Sequence, residues 1–378
     1  MALHFSRDTK VYLESANTGS PSIQSVWEIP VLDGFSLSQA TNSSEITLNE
    51  AGTTSRRASL VFNDSLAPVE WSFTTYARPF LAPGGVDYAT SHVHAVEEAL
   101  WAMFIGATGF DGDDVWSAAV GTPVVYTGTT LTTFNFNSSN ISNMPETYAL
   151  YFSFSDGAAT ENVYKITKAV INSATMDFDI DGLAQITWSG FGSLMQDQQG
   201  VSPQRPTVTH NEGVTETGAF IRNRVSDVTL QRTDVSPNET YSIVLTGGSI
   251  TLENNLTYLV PEELGLVNQP LGNVTGARSF SGTITAYLDT EPSPSKSAEL
   301  LADLVADTTT VRNVFDMSID IGGTGANPSI SFDLPTAHLE IPNPTIEDVV
   351  SVEINFRAQV SGGNVDNTDE MTIIYRAN

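Results

Sequence analysis

The chain has 378 residues, enough for a sizeable core and about the length of two linked domains. Its 44 Asp and Glu against 16 Lys and Arg give a formal charge of −28, which disfavours nucleic-acid binding through a basic patch. The lack of cysteine excludes disulfides, thiolate metal sites and thiol nucleophiles.

The opening residues, Met1 to Lys10, carry no apolar core of signal-peptide length, and no run approaches the roughly 20 apolar residues that span a bilayer. The chain is therefore expected in a cytoplasm-like solution, or in something assembled there. Lys10–Glu14 and Ser25–Ile29 read as strands, the second ended by Pro30, and Asp33-Gly34 reads as a turn. From Phe35 to Ser59 the chain is polar, with Arg56 and Arg57 near its end, and its length predicts an interface loop rather than a simple connection. Val69–Tyr76 alternates, placing Trp71 and Phe73 on one side and Ser72 and Thr74 on the other. A loop over Pro79–Thr90 leads to a predicted helix over 91–105, with Ser91 as N-cap. Val93, Val96, Leu100 and Phe104 recur in it at helical spacing, Glu97-Glu98 lie in its first half and Gly106 ends it.

Strands return at Ala149–Phe154, Val163–Ile166 and Ala174–Ile180, the last turning at Asp181-Gly182 into Ala184–Trp188. Asp197–Arg205 reads as a linker. Tyr241–Leu245 and Ser249–Leu252 then read as strands around a Gly247-Gly248 turn. A long polar loop runs from Glu253 to Arg278, followed by the alternating strand Phe280–Tyr287, the Pro-rich Glu291–Pro294 and a helix over 297–306. Ser329–Phe332, Ala337–Ile341 and Val349–Phe356 read as strands. The order strand, strand, long loop, aromatic strand, Pro-rich loop, helix, strands thus occurs twice. It predicts a duplicated architecture with units at 1–205 and 206–378. Abundant Thr, Ser, Asn and Gly fit a mainly β fold.

Chemistry is hard to find. Asp177-Phe-Asp-Ile-Asp-Gly182 opens like a calcium loop, but its twelfth position is Trp188 where that motif needs Glu, and its flanks alternate as strands. Asp111–Asp114 reads as a solvated turn, and His92 and His94 point apart. No nucleophile elbow, Walker loop or dinucleotide fingerprint occurs. The expectation is a protein that is not an enzyme and needs no cofactor or metal.

Several stretches together resemble the major tail tube proteins of long-tailed bacteriophages. They are Trp27–Ser36, Phe62–Phe73, and Lys168–Ser173 with the hairpin ending Ile186–Gly190. In the second half they are Leu252–Gly265, Gln269–Gly272 and Thr275–Phe280. The likeness runs through most of both halves. It implies two tandem β-sandwich or barrel domains, each with one flanking α-helix. It also implies subunits that join their sheets into rings around a DNA-wide lumen, and rings that stack into a tube. Most members carry one unit and form six-fold rings; two units imply a homotrimer with pseudo-six-fold symmetry. The implied partners are further copies of the chain, other tail proteins at the tube ends, and double-stranded DNA passing without specific binding, with no membrane. The implied place is the virion tail, after assembly in the host cytoplasm. A virion-surface decoration or adhesin protein is the alternative that the same composition fits.

On this reading ring stacking falls to Asn42, Glu45, Asn49, Glu50, Arg56 and Arg57 in the first long loop. In the second it falls to Leu256, Tyr258, Glu262, Glu263 and Arg278. The Arg pair could bridge carboxylates of the next ring through forked hydrogen bonds. Strand carboxylates Asp177, Asp179 and Glu353 are candidates for an acidic lumen, since lysines meeting phosphates would hold the DNA fast.

Overall fold

Alternation of buried and exposed residues organises the strands of this computed structural model. It describes residues 6–16, 24–47, 59–82, 92–107, 110, 115–118, 121–127, 131–136, 143–155, 161–201, 203–215, 220–264, 267–290, 296–306, 313–323, 328–346, 348–361 and 369–377. The first half contains β1 (Lys10–Ala16), β2 (Gln24–Ile29), β3 (Ser36–Thr47), β4 (Ser59–Tyr76), β5 (Pro79–Leu81), β6 (Val93–Ala95) and α1 (Glu98–Ile105). It continues with β7 (Val115–Ala118), β8 (Gly121–Thr127), β9 (Leu131–Asn135), β10 (Tyr148–Ser155), β11 (Glu161–Ile166), β12 (Val170–Asp179), β13 (Gln185–Gly192) and β14 (Met195–Asp197). After α2 (Glu212–Thr215) come β15 (Asp227–Arg232), β16 (Glu239–Ser242), β17 (Leu245–Glu253), β18 (Thr257–Leu259), β19 (Gly272–Val274) and β20 (Ser279–Tyr287). The chain ends with α3 (Ser297–Ala306), β21 (Phe315–Ile321), β22 (Ser329–Leu339), β23 (Asn343–Thr345), β24 (Ser351–Ala358) and β25 (Thr372–Arg376).

The strands lie in two layers. A back layer begins with the order β2-β1-β10-β11 and a front layer with β3-β4-β13-β12. Later in the chain β16-β15-β21-β22 and β17-β20-β24-β23 follow, all antiparallel. β12 and β17 pair from Ser173↔Glu253 to Asp179↔Gly247, which makes the two front layers one sheet. β22 leads from that sheet to β25, β9, β8 and β7.

The inward side of the front sheet carries Trp71, Phe73, Ile186, Trp188, Met176, Ile250, Leu252, Phe280, Ile284, Ile354 and Phe356. All are buried in one hydrophobic cluster that spans both halves. Trp188 meets Trp101 of α1 edge-on at 4.6 Å between ring centroids and donates its indole N–H to Thr75 Oγ1 at 2.9 Å. The packing is close enough to dictate a glycine. A Cβ on Gly190 would stand 2.6 Å from the Trp71 ring and closer still to the Val170 carbonyl. Gly190→Ala is therefore expected to destabilise the subunit by about 2 kcal/mol through overpacking. The denaturant midpoint should fall with its slope unchanged.

Every residue of α1 is buried, and Gly106 in the left-handed conformation (φ 86°) closes it by donating to Ala102 and Met103 carbonyls. The helix begins at Glu98, later than the spacing predicts. Val93–Ala95 instead pair with Pro79–Leu81, and Ser91 lies outside the described residues. The wholly buried helix and the buried strand before it share one run with few polar residues, so periodicity could not separate them. By contrast α3 buries Ser297, Leu300 and Leu304 and leaves its other face toward solvent.

A buried polar cluster anchors the start of α1 to the C-terminal strand. Tyr375 donates to Glu97 Oε1 at 2.6 Å, Trp101 donates to Tyr375 at 2.7 Å, and the Arg78 backbone N–H donates to Glu97 at 3.2 Å. His94 Nδ1 lies 2.9 Å from Glu98 Oε2 beside them. Burial pushes the Glu97 carboxyl up to about 7, against the lowering effect of the Tyr375 hydrogen bond and of Arg78. The folded protein thus holds a proton that the unfolded chain releases. This contribution to stability is complete below the ordinary value of 4.5 and is lost as pH rises through about 7. Unfolding midpoints should fall across that window, and Glu97→Gln should flatten the fall.

Four further expectations change. Of the predicted loop Phe35–Ser59, Ser36–Thr47 form β3, which continues along β4, and residues 48–58 lie outside the described residues. Gly247-Gly248 is not a turn: both sit within β17, where a Cβ on Gly248 would meet the Phe178 ring at 2.6 Å. Ser329–Phe332 and Ala337–Ile341 belong to one strand up to Leu339, and the linker from Asp197 begins in β14, paired with β11. Downstream of it, His210 stacks on Trp27 at 4.5 Å and Arg205 lies over Tyr12.

Candidate assembly interface

Beyond the body, β3 and β4 run on as a two-stranded arm, paired to Thr47↔Ser59. Residues 40–47 and 59–64 are all exposed. Ile46 faces Leu60 across the ladder and Ser44 faces Phe62, so Ile46, Leu60 and Phe62 share one side. They are 48%, 62% and 48% exposed, an apolar stripe on a strand pair with no layer against it among the described residues. Glu45 and Val61 occupy the other side. Asn42 donates to Ser65 Oγ at 3.0 Å and Ser44 to Asp64 at 3.1 Å, which stiffens the base of the arm. Asn49, Glu50, Arg56 and Arg57 fall outside the described residues.

The second predicted loop emerges from the same end of the sheet, since β3 and β17 are parallel by the count of antiparallel neighbours between them. It contains the small hairpin β18-β19, and it meets the arm. Leu66 donates its N–H to the Asn268 carbonyl at 2.8 Å and Asn268 returns one to Asp64 at 3.1 Å. The structure therefore brings the second predicted loop against β4 at the base of the arm, which no spacing in the sequence announced.

Within this loop the predicted residues divide. Leu256 is buried with Met144 and Val170, and Tyr258 donates to the Lys168 carbonyl at 2.8 Å. Arg278 forms an ion pair with Glu370 at 2.6 Å and lies over the Phe136 and Phe280 rings. These three hold the loop to its own subunit. Glu262 and Glu263 are exposed, as is Leu264 beside them.

The opposite end of the sheet also exposes apolar side chains. Ile180 follows β12, Val244 precedes β17, and Tyr287 ends β20. Ile346, 82% exposed, and Val349 lie between β23 and β24. Sequence reasoning missed both apolar ends, although Leu60-Val-Phe62 within a polar stretch was a usable signal.

The outward side of the front sheet is polar throughout its middle. One row across the strands reads Thr74, Thr187, Thr175, Thr251, Ser281 and Arg357. Thr74 and Thr187 share a hydrogen bond at 3.0 Å, and Ser249 and Thr283 one at 3.1 Å. Another row on this face, four residues further along β12, passes from Asp179 through Gly247 and Thr285 to Glu353. Asp177, two residues before Asp179 on β12, points to the same side. The three candidate carboxylates thus share one face with Glu70 and Glu253, against Arg357. The turn after Asp179 is a hairpin connection with Gly182 at φ 131°, not a calcium loop. Among the described residues no three His, Asp or Glu are grouped to hold a metal, and no helix is long and apolar enough to cross a membrane.

Comparison with known proteins gives two matches. A family model described as phage tail tube protein matches residues 82–358. The chain is also 31% identical over 365 residues to a protein of Escherichia phage T5 named tail tube protein pb6, covering 95% of this chain and 73% of that relative.

Proposed function

The chain belongs to the phage tail tube protein family, and from that membership we propose that it polymerises as stacked rings into a tail tube that forms the channel for DNA ejection. Its role is structural. Residues 1–205 and 206–378 act as two equivalent tube units, so a homotrimer closes a pseudo-six-fold ring with units about 60° apart. The observation that carries this reading is the recurrence of both strand orders, β2-β1-β10-β11 with β3-β4-β13-β12, then β16-β15-β21-β22 with β17-β20-β24-β23.

Stacking is head to tail. The arm and the 254–278 loop leave one end of the sheet, apolar side chains cover the other, and a contact between unlike surfaces repeats into an open filament. Ile46, Leu60 and Phe62 supply the apolar part of that contact. Asn42, Glu45, Glu262 and Glu263 supply its polar rim, and Arg56 and Arg57 bridge carboxylates of the next ring. The polar face with Asp177, Asp179 and Glu353 lines the channel, where carboxylates and hydroxyls let DNA slide without specific contact. Other tail proteins meet the tube at its ends, and assembly takes place in the host cytoplasm.

Negative-stain microscopy of the concentrated protein tests the reading directly. Tubes or rings are expected, with three chains per ring by mass. Discrete monomers at every concentration would overturn it in favour of a decoration or adhesin role.

A further inference from the structure

Two open edges flank the eight strands β3-β4-β13-β12-β17-β20-β24-β23, one at β3 and one at β23, which shares the outer side of β24 with Ala337–Leu339 of β22. Among the described residues β3 pairs with β4 and β23 with β24, and neither has a second neighbour. Between the halves the corresponding edges are already joined. β12 holds the place of β23 in the first half, β17 holds the place of β3 in the second, and the two pair along Ser173–Asp179.

That joint can be carried residue by residue onto the open edges. Tyr76 and Tyr287 end β4 and β20, so Thr74 corresponds to Thr285. Their partners on the next strands are Thr187 and Glu353, and the partners of those are Thr175 and Asn343. Thr175 faces Thr251, which faces Ser281. Ser281 corresponds to Glu70, and Glu70 faces Ser38. Asn343 therefore stands to Ser38 of the next copy as Thr175 stands to Thr251.

The two joints differ in backbone chemistry. Ser173–Asp179 contains no proline, so each residue has an N–H to give. β23 has Pro344 at its centre and follows Pro342, and an edge proline turns its donor-free side to solvent. Above it, the Asn313 side chain already occupies both backbone groups of Leu339, at 3.1 and 2.9 Å. Resting on the tube reading above, we infer that the seam between copies is a short, donor-poor repetition of the β12–β17 joint, with Asn343 opposite Ser38 and Thr345 opposite Ser36. The proline edge keeps a lone subunit from pairing with stray strands, and it makes the seam between chains the weaker of the ring's two kinds.

The lack of cysteine gives a clean test of the register. Facing Cα atoms in an antiparallel pair lie about 4.5–5.5 Å apart, within disulfide reach, whereas diagonal neighbours lie about 7–8 Å apart. Oxidised tubes of Ser38→Cys with Asn343→Cys should run as linked chains on a denaturing gel, and Ser36→Cys with Asn343→Cys should run as single chains. Intact tubes that link at the shifted pair, or at neither, overturn the register. Pro344→Thr restores one donor and should tighten ring association about three- to tenfold while leaving unfolding of the lone chain unchanged. Unaltered association overturns the donor argument. Failure of the unmodified chain to form rings or tubes would overturn the tube reading itself, and the seam with it.

Discussion

Replacing Ile46, Leu60 and Phe62 together with serine is expected to leave a folded subunit that builds no tubes. These side chains lie on the arm, beyond the body, so their loss removes nothing from the core. Each is about half exposed, and covering that remaining surface contributes roughly 1 kcal/mol per side chain. The sum is about 3 kcal/mol for each subunit contact, near a hundredfold in affinity. In the proposed ring every subunit would make the contact at once, so the losses would multiply around the ring and stacking should fail outright. Deleting residues 47–54 should do the same by shortening the connection from β3 to β4. Microscopy for tubes and a melting curve for the subunit check both variants together. Tubes of normal length from a folded triple variant would show that the arm does not carry the stack.

The second large effect concerns the channel. Asp177→Lys, Asp179→Lys and Glu353→Lys lie on the polar side of the sheet and remove nothing from the hydrophobic cluster. Tubes should therefore form normally. Each lysine that meets a phosphate releases counterions and adds about 0.9 to the salt slope of DNA affinity, and the contacts accumulate over stacked rings. Ejection from particles rebuilt with these variants should slow, most strongly at low salt, where the screening length grows from about 8 Å toward about 30 Å. Unchanged ejection through intact tubes would mean that the acidic excess serves solubility instead.

What the sequence disclosed followed the strength of local patterns. Trp71, Phe73, Phe280 and Ile284 lie on the buried side as alternation requires, and the Asp181-Gly182 hairpin sits where its turn residues put it. Alternation also grouped Asp177 with Asp179, but only the register through Gly247 and Thr285 put Glu353 on their side. Glycine misled where packing rather than a turn required it, as at Gly248 under Phe178. The start of α1 was illegible because a strand at Val93–Ala95 and the following helix are both buried and share one apolar run. Arg278, expected among the stacking residues of the second loop, pairs with Glu370, which lies 92 residues away. Long-range pairing of that kind leaves no mark in a local window.

The ladder between β12 and β17 has a kinetic meaning as well. Both strands belong to one polypeptide, so they find each other at an effective concentration set by the chain between them and not by the protein concentration. Dilution cannot open this joint, and forming it costs no loss of translational freedom between molecules. A closed ring built from such chains needs fewer bimolecular encounters than one built from single units. The dependence of the proposed ring on subunit concentration is correspondingly shallower, so it would close at a lower concentration of chains than a ring of single units.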